Sequence, residues 1–167
     1  GLAFISPIIL LIKNHYNTSS NEGQLTITIY LVAICISQIF WGPLSDLIGR
    51  RVVLIMGASL FSLGGILSSL NLAFEVFVFF RFLQGVGAAA CLSMPRVMLT
   101  ESYGVKKAAA KMSTLLAFMA IFPILSAAFG GYIGENYGWQ TNFFTLFIFG
   151  AIVFSPVSYT HLRAHET

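Results

Sequence analysis

The stretch that decides the reading is Phe40–Leu54, FWGPLSDLIGRRVVL. It gathers Asp46, Arg50 and Arg51 with Gly42, Pro43 and Gly49, after a run from Gly23 to Ser45 without a formal charge, and apolar sequence lies on both sides. Proline fixes φ and lacks an N–H, and glycine reaches conformations closed to other residues, so together they mark a reversal of the chain. The expectation is a hairpin over residues 42–51 joining two apolar helices, with Gly42, Pro43 and Gly49 at its turning points. Two bases at such a place follow from the excess of Lys and Arg on cytoplasmic loops of membrane proteins. Asp46 needs a separate reason, either capping a helix N-terminus or pairing with a base.

The surrounding composition agrees. The chain is 57% hydrophobic and 9% charged with a mean hydropathy of +0.84, against about 25% charged residues in soluble domains. It has too little polar surface to cover a soluble fold, so the bilayer is its solvent. Spanning a ~30 Å hydrocarbon core takes about 20 helical residues. Leu25–Trp41, Val52–Leu72, Val76–Leu99 and Met112–Ile133 qualify, Gly1–Ile12 reads as the end of an earlier span, and Phe143–Phe154 as the start of a later one. Arg50, Arg51, Arg96, Lys106, Lys107 and Lys111 collect at one set of helix ends, whereas the other connections hold Lys13 alone. Residues 42–51 and 100–111 are therefore expected on the cytoplasmic side of the inner (plasma) membrane, and Tyr137 with Trp139 at the outer interface.

Several classes drop out. Cys35 and Cys91 lie in apolar runs with no metal-type spacing, which argues against a disulfide framework and a zinc site and reads both as small buried hydrophobes. A pI near 9.0 comes from scattered bases and not from a patch, so nucleic acid is not expected as a partner. No cofactor, metal or enzymatic chemistry is expected. The start, GLAFISPIILLI, lacks Met and a basic leader, and the preceding part of the protein is expected to be missing. Residues 157–167, VSYTHLRAHET, resemble a translated transposase-type sequencing adapter; they are set apart from residues 1–156, and the His161 and His165 pair receives no metal role.

Small residues allow close helix approach in lipid. Gly57 with Gly64, Gly85 with Ala89, and Gly130 with Gly134 each share a helix face, and these faces are expected to meet neighbours.

The opening stretch resembles the signature G-x-L-S-D-x-x-G-R-R of the major facilitator superfamily, with Gly42, Leu44, Ser45, Asp46, Gly49, Arg50 and Arg51 matching position by position. RFLQGVGAA, Arg81 to Ala89, is similar to the fourth-helix motif of its proton-coupled drug-export branch, and PRVMLTE places Arg96 and Glu101 where such exporters carry a base and an acid. PILSAAFGG keeps Pro123, Gly130 and Gly131 of the fifth-helix antiporter motif but has Ser126 and Ala127 where that motif carries Ala and a second Pro. The resemblance is to the N-terminal half of a bicyclomycin or chloramphenicol resistance type exporter. It implies an all-α membrane fold, the first six helices of twelve with the first and sixth incomplete, and a full-length monomer. It also implies a cytoplasmic latch of Asp46, Arg50, Arg96 and Glu101, with Gly42, Gly49 and Arg51 in the same gate.

Arg81 lies about 9 Å below the helix edge at Glu75, given 1.5 Å per residue. A charge at that depth is a functional candidate by default. Gln84 and Gly85 follow at i+3 and i+4, which turns a polar stripe inward. Arg81 and Gln84 are expected to face the central cavity, and the resemblance links Arg81 to proton coupling. Glu22, Glu75 and Glu135 sit in or beside outer connections, so the proton-carrying acid is expected in the missing first helix. Tyr30, Ser37, Gln38, Met119 and Phe122 could line an apolar substrate cavity, with core packing as an equal alternative.

The expected function is proton-driven efflux of drug-like amphipathic compounds by alternating access of two halves. A carrier of sugars or small metabolites, and a non-transporting sensor on the same scaffold, remain alternatives. GVGAAA at residues 85–90 also mimics a dinucleotide fingerprint, but no acid follows at the required distance.

Overall fold

The computed structural model of the chain describes residues 9–16, 20–70 and 73–148. Helices α1 (Ile9–Tyr16), α2 (Ser20–Ile48), α3 (Arg50–Ser68) and α4 (Phe74–Tyr137) are followed by a fifth helix, α5, over residues 139–148. No strand occurs among the described residues. Four segments are long and apolar enough to cross a membrane: Asn21–Ile48, Arg50–Ser68, Phe74–Gly104 and Ala108–Tyr137. The fold is the all-α membrane architecture expected. Residues 1–8, residues 149–154 of the stretch read as the start of a later span, and the 157–167 tail with His161 and His165 lie outside the described residues.

The connections are shorter than the sequence implies. Residues 42–51 do not form a loop: α2 runs through Gly42 and Pro43 to Ile48, and α3 begins at Arg50. Only Gly49 leaves the helix, at φ 94° and ψ 144°. The ladder nearly continues across it, because the Gly49 N–H donates to Ser45 O (3.1 Å) and the Val53 N–H donates to Gly49 O (3.3 Å). Pro43 is tolerated because the residue before it is glycine, with no Cβ to clash with the ring. The same economy recurs at Gly104 (φ 69°), which breaks α4 into two arms, and at Gly138 (φ 87°) between α4 and α5. A positive φ disfavours every side chain with a Cβ, so one glycine suffices to turn each helix end. Pro95 and Pro123 sit inside α4 without a comparable break.

Packing follows a stripe that the sequence carries. On α2 the buried residues are Thr26, Tyr30, Ala33, Ser37, Trp41 and Ser45, spaced three or four apart as one helix face requires. Cys35 falls on the opposite face and is exposed, which corrects its reading as a buried hydrophobe; Cys91 is half-buried. The glycine faces of α3 and of the first arm of α4 meet neighbours as expected. A Cβ at Gly57 would lie 3.0 Å from Gly87 O, one at Gly64 would lie 2.8 Å from the Gln84 backbone, and one at Gly85 would lie 2.6 Å from Tyr30 O. The fingerprint-like GVGAAA is thus the inner face of a helix and not a phosphate loop.

Two apolar clusters result. One joins Ile12, Phe77, Trp139, Phe143 and Leu146, and the other joins Trp41, Val53, Leu54, Ala89, Ala90 and Met94. In the second, the Trp41 indole N–H donates to Val86 O at 2.9 Å, so α2 is pinned to α4. Trp139 is 4% exposed and packs against Tyr16, Phe77 and Phe143, with ring centroids 5.6–5.9 Å apart. The two rings differ in burial, because the turn at Gly138 carries Trp139 into the core while Tyr137 stays 70% exposed.

Candidate functional site

Two charged constellations stand out, one at a bundle end and one inside. At the end, Arg50 opens α3 and meets residues of both other long elements. Its Nη2 lies 2.6 Å from Asp46 Oδ1 on α2 and 2.9 Å from Glu101 Oε1 on α4, and its Nε donates to the same Glu101 oxygen at 3.1 Å. Its Nη1 donates to Ser45 Oγ, and the Ser45 hydroxyl donates to Gly42 O at 2.7 Å. Of the two roles open to Asp46, pairing with a base is the one present; Gly49 precedes α3 without a side-chain cap.

The carboxylates are more than half exposed and the Arg50 side chain 23% exposed, so solvent screening keeps each pair weak. A bridge of that strength ties three helices and remains breakable. Arg96 is not in this cluster. Its Nη2 lies 3.6 Å from Met119 Sδ, across the turn at Gly104. Arg51 is exposed.

Inside the bundle, Arg81 and Gln84 are both 0% exposed. Arg81 Nη1 donates to Gln84 Oε1 at 2.6 Å. The guanidinium carbon lies 4.5 Å from the Tyr30 ring centroid and 5.6 Å from that of Phe143. Arg81 Nε and Nη2, Gln84 Nε2 and Asn142 Oδ1 have no hydrogen-bond partner among the described residues. Along α4 this pair falls between Phe77 of one apolar cluster and Ala89 of the other. Within the described residues Arg81 and Gln84 are enclosed, where Gly64 and Gly85 let α3 and α2 come close to α4.

The remaining candidates are dispersed. Tyr30 is buried against Arg81 and does not line an open space. Ser37 is buried, Gln38 is exposed, Met119 is half-buried against Arg96, and Phe122 is 61% exposed. Pro123 is exposed, with Ser126 Oγ donating to its carbonyl at 3.0 Å. Gly130 is buried and its carbonyl accepts from Asn142 Nδ2 at 2.9 Å, which ties α4 to α5, and Gly131 is half-buried beside it. Among the described residues no group of three His, Cys, Asp or Glu could hold a metal ion.

Residues 1–166 match the sequence profile of the Major Facilitator Superfamily. The chain belongs to this superfamily. It is a multi-pass membrane protein of a family of transporters. Similar relatives include the multidrug resistance protein MdtL of Escherichia coli O81 (strain ED1a), 31% identical over 82% of this chain and 35% of the relative. MdtL of Shewanella sp. (strain ANA-3) is 27% identical over 86% of this chain and 36% of the relative. MdtL of Salmonella paratyphi C (strain RKS4594) is 30% identical over 82% and 35%. The chain spans about a third of the length of these relatives.

Three contacts at these sites were not assigned from the sequence. Ser45 belongs to the signature but was given no role there; it accepts from Arg50, and its burial was available from the α2 stripe, one turn after Trp41. Phe143 and Asn142 reach Arg81 and Gly130 from α5, and no local pattern signals a contact across so many residues.

Proposed function

We infer that this chain is the N-terminal half of a proton-driven exporter of drug-like amphipathic compounds, working by alternating access of two six-helix halves in the inner membrane. The observation that carries the reading is Arg81. A guanidinium with no carboxylate partner among the described residues is expensive to keep inside a membrane bundle, and such groups mark ion and proton pathways. The likeness to proteins named for multidrug resistance supports drug-like compounds as cargo. Asp46, Arg50 and Glu101 form the cytoplasmic latch, with Gly42, Gly49 and Arg51 around it. Their exposed bridge is weak enough to open and close in each cycle. Arg96, which the resemblance assigns to the latch, contacts Met119 in this structure. Residues 42–51 and 100–111 face the cytoplasm, in keeping with their bases.

Efflux of ethidium from cells that express the full-length protein tests this reading. Export should stop when a protonophore collapses the proton gradient and should be lost in Arg81→Gln. Export that ignores the gradient would contradict proton coupling, and uptake of a sugar or metabolite without drug efflux would favour the carrier alternative.

A further inference from the structure

The buried arginine poses a physical problem that the family membership does not answer. Arg81 is fully enclosed, it accepts no help from any carboxylate among the described residues, and its one hydrogen bond goes to a neutral amide. What does face it is aromatic. The Tyr30 ring centroid lies 4.5 Å from the guanidinium carbon, well inside the range of a cation–π contact, and Phe143 lies at 5.6 Å. Desolvation strengthens that contact, because no water competes for the cation.

The backbone explains why Tyr30 is there. Gly85 lies one helical turn beyond Arg81, and a Cβ at position 85 would sit 2.6 Å from Tyr30 O and 3.3 Å from Tyr30 Cα. At this close crossing α2 presents Tyr30 and Ala33 to α4, which sets the Tyr30 backbone one turn from Arg81. Gly64 does the same for Gln84 from α3.

We propose that Tyr30 is a positioning residue for Arg81: its π face, set by the Gly85 crossing, holds the guanidinium so that Nε and Nη2 stay available for the transport reaction. The role differs from lining a substrate cavity, which asks only for size and polarity. It depends on ring electron density. The transport arm rests on the exporter reading above, and a second arm does not.

The test places phenylalanine and then mono-, di- and trifluorinated phenylalanine at position 30 of the full-length protein. Fluorination changes ring volume little and drains the π face stepwise, so a packing role would not follow it. Drug-dependent proton uptake should stay within about twofold for Tyr30→Phe and fall stepwise by about fivefold or more at the trifluorinated ring. The melting temperature should fall in the same order, and that order should vanish in an Arg81→Gln background. Unchanged uptake and melting across the series would overturn the inference while leaving the exporter reading intact. If the unsubstituted protein moves no protons, the exporter reading fails and the melting series alone decides Tyr30: a graded, Arg81-dependent fall supports the contact, and a flat series removes it.

Discussion

Gly64 of α3 lies so close to Gln84 of α4 that a Cβ at position 64 would come within 2.8 Å of the Gln84 N, Cα and Cβ atoms. The neighbour is backbone and cannot swing away. Gly64→Ala should therefore separate the helices and lower stability by about 1–3 kcal/mol, read as a lower melting temperature of the full-length protein in detergent. An unchanged melting temperature would place the crossing elsewhere.

The two glycines of the opening stretch should behave oppositely. Gly49 turns the chain at φ 94°, so Gly49→Ala should destabilise by about 1–2 kcal/mol. Gly42 is helical with nothing within 4 Å of its Cβ position, and Gly42→Ala should be neutral or stabilising by up to about 1 kcal/mol. Equal losses at both positions would restore the loop that the sequence suggested.

The differing burial of Tyr137 and Trp139 gives a second contrast. Trp139→Ala empties a site in the aromatic core and should cost about 3–5 kcal/mol. Tyr137→Ala removes an exposed ring and should stay within about 0.5 kcal/mol. Denaturation monitored by helical circular dichroism separates the two.

At the end of the bundle, Arg50 serves Asp46 and Glu101 at once. Arg50→Ala should lower drug efflux by about tenfold with little change in melting temperature, since exposed pairs contribute little to folding. The exchanged pair Arg50→Glu with Glu101→Arg should recover part of the efflux. Full activity in Arg50→Ala would remove the latch from the account.

Much of this was legible in the sequence, and the limits have physical causes. The spans and their order follow from hydropathy, and the small-residue faces follow from spacing, because each depends on local pattern. Turns were misjudged because helix capping and charge placement look alike in sequence: charges marked where the chain reverses but not how little of it reverses, and one positive-φ glycine replaced an expected loop. The Asp46–Arg50 bridge was readable at i, i+4, while Glu101 came from resemblance. The surroundings of Arg81 were not readable, because they need Tyr30, Gly64 and Phe143 from three other helices to converge. Cys35 was misplaced for the same reason; helix phase decides which way it points.

The central claim is that a buried arginine couples proton movement to drug export. The most direct measurement is drug-dependent proton movement in proteoliposomes holding the full-length protein, followed with a pH-sensitive dye, for the native protein and for Arg81→Gln. The account predicts that adding drug drives proton flux in the native protein, and that Arg81→Gln abolishes this flux while the protein still folds. Equal proton flux in both, or drug transport with no proton movement in the native protein, would contradict it.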